Sequence, residues 1–266
     1  MHRADSFGAD ILLKRSGKSD EMNVYGKTDR GLVRSNNQDT YRTELSENGC
    51  GYLILCDGMG GARAGNVASE KTADVFLDYL RQNVTADMDT ETLARIILQG
   101  SIQANREVFQ MAQSSPDYSG MGTTLVGGVA VEDRVLLCNI GDSPAYLIDR
   151  SRAAIAQMTE DHSLVEEMVR AGRLTKEEAR HYPGRNLITR AVGVDEAVEA
   201  DLYEILMKDN QVLLLCSDGL SGMVSDAEIA AVIVQSPDLK TAGDLLVQKA
   251  CEAGGNDNVT VVLYTK

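Results

Sequence analysis

The chain has 266 residues, four prolines, 24 glycines and a formal net charge of −14. The length suits one large domain, and the acidity argues against a nucleic-acid partner, which needs a basic face. No apolar stretch approaches a membrane span and the N-terminus has no signal-peptide core, so a soluble, cytoplasmic, monomeric protein is expected.

Residues 1–20 are polar and aperiodic, and are expected to form a flexible arm ahead of a single domain over 21–266. Short strands are predicted over 22–28 and 39–45, around the polar turn Arg30 to Asn37. The run ending LILC predicts a strand over 51–56 that delivers Asp57. Ala64, Val67, Ala68, Val75, Phe76, Tyr79 and Leu80 recur at helical spacing and predict a helix over about 64–82. A second helix follows over about 90–113, with Leu93, Ile96, Ile97, Ala104, Val108 and Met111 on one face. TTLVGGVAV, RVLLCNI and AYLID then read as three strands, whose short links predict an antiparallel meander. The polar, partly helical stretch 161–192 is a long insertion of the kind that is often functional. Strands near 200–205 and 211–217 follow, the second delivering Asp218. Ser225 to Glu228 spells a capping box for a helix to about 235. A last helix over 241–253, stopped by Gly254-Gly255, leads to a strand over 259–265. Runs of strands with paired helices predict an α+β fold: two antiparallel sheets face to face, with helix pairs outside.

Three apolar runs carry an acid at one end: Asp57-Gly58, Asp218-Gly219, and Asp257 just before VTVVLYT. A lone Asp-Gly is most often a hairpin turn. Here Asp57 is followed by a wide glycine-lined turn and a helix instead of a second strand. Carboxylates at the ends of separate buried strands make an oxygen-rich site for Mg²⁺ or Mn²⁺. Other chemistries lack their parts: there is no Walker loop or dinucleotide fingerprint, no nucleophile elbow, and three histidines without metal-ligand spacing. The five cysteines (Cys50, Cys56, Cys138, Cys216, Cys251) have no Cys-x-x-Cys and no Cys-x5-Arg phosphate loop. They are expected to be reduced, buried and inert.

Eight motifs together resemble the metal-dependent type 2C protein phosphatases in their bacterial form. They are Thr28 to Asp39, Cys56 to Gly61, Gly122-Thr123-Thr124, Asn139 to Ser143, Thr159 to Ser163, Asn186 to Gly193, Ser217-Asp218-Gly219 and Asn256 to Thr260. The resemblance runs from about 24 to 264. It implies a β-sandwich with a binuclear metal cleft at one edge, and a protein phosphatase that hydrolyses phosphoserine and phosphothreonine with metal-activated water, opposing serine/threonine kinases. By motif, Asp57 would bridge two Mn²⁺ or Mg²⁺ ions, the Gly58 carbonyl would bind one of them, and Asp218 and Asp257 would complete the first ion's shell. Asp142, with Asp218, would hold a looser third ion, and Asp39 would act through water. Arg34 would hold the substrate phosphate, and 161–192 would be a flap beside the cleft. Arg34, Asp57 and Asp218 are then the expected catalytic set.

Three positions depart from the family pattern. Ala62 stands where many bacterial members have a histidine able to protonate the leaving alkoxide, Pro144 where many have arginine, and Asn66 where the family often has an acid. None of them is an expected ligand. Ala62 is the main support for an alternative, a catalytically weak phosphoprotein-binding module of the same fold. A phosphatase acting on one small regulatory partner and a nucleotide phosphodiesterase are the other rivals.

Overall fold

The computed structural model describes residues 22–60, 64–180, 182–184 and 186–266. The expected N-terminal arm and Ala62 lie outside these residues.

Strands β1 (Asn23–Asp29), β2 (Asp39–Leu45) and β3 (Cys50–Met59) precede helices α1 (Ala64–Asn83) and α2 (Thr90–Ser114). A two-residue strand β4 (Gly122–Thr123) leads into β5 (Leu125–Val131), β6 (Arg134–Ile140), β7 (Ala145–Asp149) and β8 (Ala154–Gln157). Short helices α3 (Leu164–Arg170) and α4 (Lys176–Arg180) occupy the polar insertion, followed by β9 (Asp201–Leu206) and β10 (Gln211–Cys216). The single turn α5 (Asp218–Ser221), then α6 (Asp226–Gln235), α7 (Leu239–Glu252) and β11 (Val259–Thr265) complete the chain. One antiparallel sheet has the order β1-β11-β10-β7-β8, and the other β2-β3-β5-β6-β9, with β4 on the far end of β3.

The period-2 alternation of the strands decides which face meets which layer. In β3, Leu53 and Leu55 pack between the sheets, while Tyr52, Ile54 and Cys56 face α1 and α2. In β10, Leu213 and Leu215 point between the sheets, and Val212, Leu214 and Cys216 face α6 and α7. The helices answer with apolar stripes. Phe76, Leu80, Leu93, Ile97, Ala104 and Val108 cover one sheet, and Ile229, Ile233, Ala242, Leu246 and Ala250 cover the other. Truncating any of the large ones to alanine should cost about 2–5 kcal/mol. α6 opens with the expected capping box, Ser225 Oγ accepting from Glu228 N while the Glu228 carboxylate accepts from Ser225 N.

The expected meander of three strands needs correction. β5 and β6 pair, but β7 does not continue their sheet; it pairs with β10 and β8 in the opposite one. Gly141-Asp142-Ser143-Pro144 therefore crosses the sandwich edge. β1 and β2 likewise belong to opposite sheets, so the turn between them is a second crossing at that edge. Four cysteines are buried and free, as expected, whereas Cys251 is only half-buried. Among the described residues, no helix is long and apolar enough to cross a membrane.

Candidate metal and phosphate site

The alternation that builds the core also aims the acids. Asp57 follows Leu53 and Leu55 at even steps, so its side chain takes the inter-sheet face where the sandwich opens. It lies within β3, two residues before the strand ends. Asp39 is its cross-strand partner on β2 and shares that face. Ser217 follows Leu213 and Leu215 in the opposite sheet, and Thr260 precedes Val262 and Tyr264; both pairs pack between the sheets. The two hydroxyls meet Asp39 across the gap: Ser217 Oγ donates to Asp39 Oδ2 at 2.8 Å and Thr260 Oγ1 at 2.7 Å. Among the described residues, the buried Asp39 Oδ1 has no hydrogen-bond partner.

Asp57 is fixed through its backbone. Its N–H donates to Thr124 Oγ1, and its carbonyl accepts from Thr124 N and Thr123 Oγ1. Thr124 Oγ1 is in turn hydrogen-bonded to Ser143 Oγ at 2.7 Å, tying β3 to the crossing turn that carries Asp142. Gly58 must be glycine, because a Cβ there would stand 2.2 Å from the Gly65 carbonyl oxygen and 2.6 Å from that of Gln38. This close approach lets α1 start directly behind the acid. Asp218 opens the turn of α5, with Ser217 in the cap position.

The loop from Asp29 to Gln38 is held by Asn258. Its Nδ2 donates to the Arg30 and Asn36 carbonyls at 2.9 Å each, and its Oδ1 accepts from Gln38 N at 2.8 Å. Gly31 has φ +75°, and a Cβ there would meet the Asp257 carbonyl oxygen at 2.2 Å, so no other residue fits. Arg34 rises from this loop, exposed, and its Nη2 donates to Asp257 Oδ2 at 2.7 Å. Asp257 Oδ1 accepts from Asn258 N.

These acids raise one another's proton affinity. Burial, then Asp39, Asp218, Asp142 and Asp257, hold Asp57 well above the ordinary carboxylate range. Burial pushes Asp39 up to about 6, with the two hydroxyls pulling the other way. Burial and then Asp218 push Asp142 up to about 7. Among the described residues, no three His, Cys, Asp or Glu side chains close into a finished cage. Like charges keep apart, and Arg34 draws Asp257 to itself. The donor chemistry nevertheless fits hard dications: oxygen ligands only, crowded negative charge, and a buried carboxylate oxygen with no partner. The expected residues Asp39, Asp57, Asp142, Asp218 and Asp257 therefore gather at one edge, with Gly58 behind them and Arg34 at the rim.

Sequence reasoning assigned no role to Asp161 or His162, although Thr159 to Ser163 was among the motifs. Burial, then Asp142, hold the Asp161 carboxyl up at about 8. His162 is buried; its Nδ1 accepts from Gly141 N at 3.1 Å and its Nε2 lies 3.1 Å from Asp201 Oδ2. The backbone donor at Nδ1 places the ring proton on Nε2, facing that carboxylate. Burial, opposed by Asp201, keeps the His162 pKa below its usual value. Their signal was the motif alone, since no apolar run frames them.

Residues 32–245 match the family model described as Protein phosphatase 2C. The chain is 37% identical over 245 residues to the "Serine/threonine phosphatase stp" of Listeria innocua, covering 92% of this chain and 96% of that one. The solved serine/threonine phosphatase of S. agalactiae superposes with a TM-score of 0.85 at 37% identity, covering 91% of this chain and 98% of that one. The PstP catalytic domain "in complex with 2 Manganese ions" superposes with a TM-score of 0.78 at 34% identity, covering 91% and 97%. The chain belongs to the protein phosphatase 2C family. Its activity is that of a serine/threonine phosphatase, and the family is metal-dependent.

Proposed function

We propose that Asp57, the Gly58 carbonyl, Asp218 and Asp257 hold two Mn²⁺ or Mg²⁺ ions. In this reading Asp142 with Asp218 holds a third, Asp39 acts through water, Arg34 binds the phosphate, and 161–192 is a flap. The observation that carries this is that carboxyls from separate chain segments converge on one sandwich edge and each raises the proton affinity of Asp57. Bound dications would supply Lewis acidity, lowering the pKa of water and offsetting charge on phosphoryl oxygens.

The chain's own residues do the rest. Water adds in line at phosphorus as the P–O bond to the serine or threonine breaks; the leaving oxygen takes up a proton and inorganic phosphate departs. The Arg34 guanidinium exchanges Asp257 for the phosphoryl oxygens, which it can grip in a bidentate fork. Asp39 is locked by Ser217 and Thr260, which leaves Oδ1 to accept a hydrogen bond from a water O–H. No cysteine or histidine nucleophile is required. The substrates are phosphoproteins, and the kinases it opposes are serine/threonine kinases. A cytoplasmic, reducing location suits the free cysteines.

The test is hydrolysis of a phosphothreonine peptide with Mn²⁺ and with chelator, in wild type and in Asp57→Asn and Asp218→Asn. Each variant should lose at least about 10²-fold in turnover and bind Mn²⁺ more weakly in calorimetry while keeping its circular dichroism. Wild-type turnover in either would sink the ligand assignment.

A further inference from the structure

We infer that Leu32 and Val33 form an apolar ledge that binds aliphatic residues flanking the phosphorylated side chain of the protein substrate. This rests on the reading of Arg34 as the phosphate ligand. The two are the most exposed large apolar side chains among the described residues, at 69% and 65%. One exposed leucine needs no explanation. Two in succession, on a backbone that cannot fold them away, do. Leu32 N and Val33 N both donate to the Gly255 carbonyl, at 2.8 and 3.3 Å. Gly31 N is held by Asp29 Oδ1, and the loop is clamped on both sides by Asn258. Its backbone ordering is therefore complete before any partner arrives, so covering the two side chains gains contact at little further entropic cost.

The occupant follows from position and from the apolar surface. Arg34 is the next residue and pairs with Asp257, while the Leu32 and Val33 backbone is held by Gly255, two positions before that acid, so the ledge and the phosphate ligand rest on one turn. A phosphate gripped by Arg34 thus leaves the neighbouring substrate residues over the ledge. Leu32 and Val33 offer exposed apolar surface and no side-chain hydrogen-bonding group, so covering them with an aliphatic flank removes apolar area from water while a polar or charged flank gains nothing there. The ledge selects a phosphopeptide with Leu, Ile or Val beside its phosphothreonine over one flanked by Ser or Asp.

The experiment compares wild type, a Leu32→Ser/Val33→Ser double variant and Leu32→Met/Val33→Ile. The substrates are a Leu/Val-flanked phosphothreonine peptide, its Ser-flanked analogue and p-nitrophenyl phosphate. The serine variant should lose about tenfold in kcat/KM, the low end for an apolar contact, with the aliphatic peptide only. The aliphatic variant should recover most of it. Equal loss on all three substrates, or no loss, overturns the ledge. So does a change in sedimentation without a change in selectivity, which would make it a contact between copies of the chain. Arg34→Ala, run beside them on p-nitrophenyl phosphate, reads the phosphate assignment separately: an unchanged KM there refutes that assignment and not the selectivity pattern.

Discussion

Replacing Asp142 by asparagine should stabilise the metal-free protein, and the gain should grow with pH. Asp142 sits in the turn that crosses between the sheets, faced by Asp218, Asp257 and Asp161. Burial and Asp218 move its pKa from 3.8 to about 7. A carboxyl whose folded pKa lies above its unfolded value binds more protons in the native state. Its contribution is complete below about pH 4 and is lost as pH rises through about 7. Roughly three pH units at about 1.4 kcal/mol each set a ceiling near 4 kcal/mol, and water entry and rotation of the acid should leave about half of that. For a domain of this size, one kcal/mol is worth about 2–4 °C in Tm, so Asp142→Asn should raise Tm by roughly 4–8 °C at pH 8 in chelator. At pH 5, where the native carboxyl is largely protonated, about a third of the gain should vanish. Mn²⁺ should reverse the order, since the wild type then gains more from the ion than the variant does. Scanning calorimetry at both pH values, with chelator and with Mn²⁺, measures all four. A lower Tm for the variant in chelator at pH 8 would refute the reasoning, because Asp142 would then be an anchor of the turn and not a strained acid.

Arg34→Ala should raise KM for phosphopeptides roughly tenfold or more, as a charge-assisted fork is lost, while Mn²⁺ affinity by calorimetry stays unchanged; loss of metal binding would make Arg34 structural. Ala62→His should speed phosphopeptide turnover more than p-nitrophenyl phosphate turnover, because an alkoxide needs protonation and an activated aryl oxide does not. The gain should fall short of the roughly 10²–10⁴-fold of a positioned acid, and equal effects on both substrates would show that protonation does not run through residue 62.

The elements that sequence revealed are those with strong local contrast. The α1 and α2 stripes, the Ser225 cap and the apolar runs of β3, β10 and β11 appear within a few residues of their predicted limits, because each encodes its own burial. β8 went unseen since Ala154–Gln157 has no apolar alternation and is largely exposed. The route of β7 was misread for a different reason: a four-residue link with glycine and proline looks the same whether it closes a hairpin or steps to the facing sheet. Only the partner strand β10, more than sixty positions along the chain, decides between them. The site divides likewise. Asp57, Asp218 and Asp257 stand out as acids beside apolar runs. Asp39 is placed at the site by the motif alone, because its burial depends on Ser217 and Thr260, which come from 178 and 221 residues away to receive it.

That distance also explains why the acids can be assembled at all. A local cluster of five carboxylates would repel itself apart, but here each acid sits at or near the end of a strand, or in a crossing turn, whose apolar neighbours are committed to a core. The alternation that puts Leu53 and Leu55 between the sheets leaves Asp57 no other face, and the same parity fixes Ser217 and Thr260 opposite Asp39. Core burial therefore holds the carboxyls at positions they would not choose alone, and their raised proton affinities record the cost. A dication relieves that cost while a neutral ligand does not. Selectivity for positive ions thus follows from the packing of the sandwich, and Arg34 at the rim, already drawn to Asp257, is the one group of the set that can turn outward to an anion.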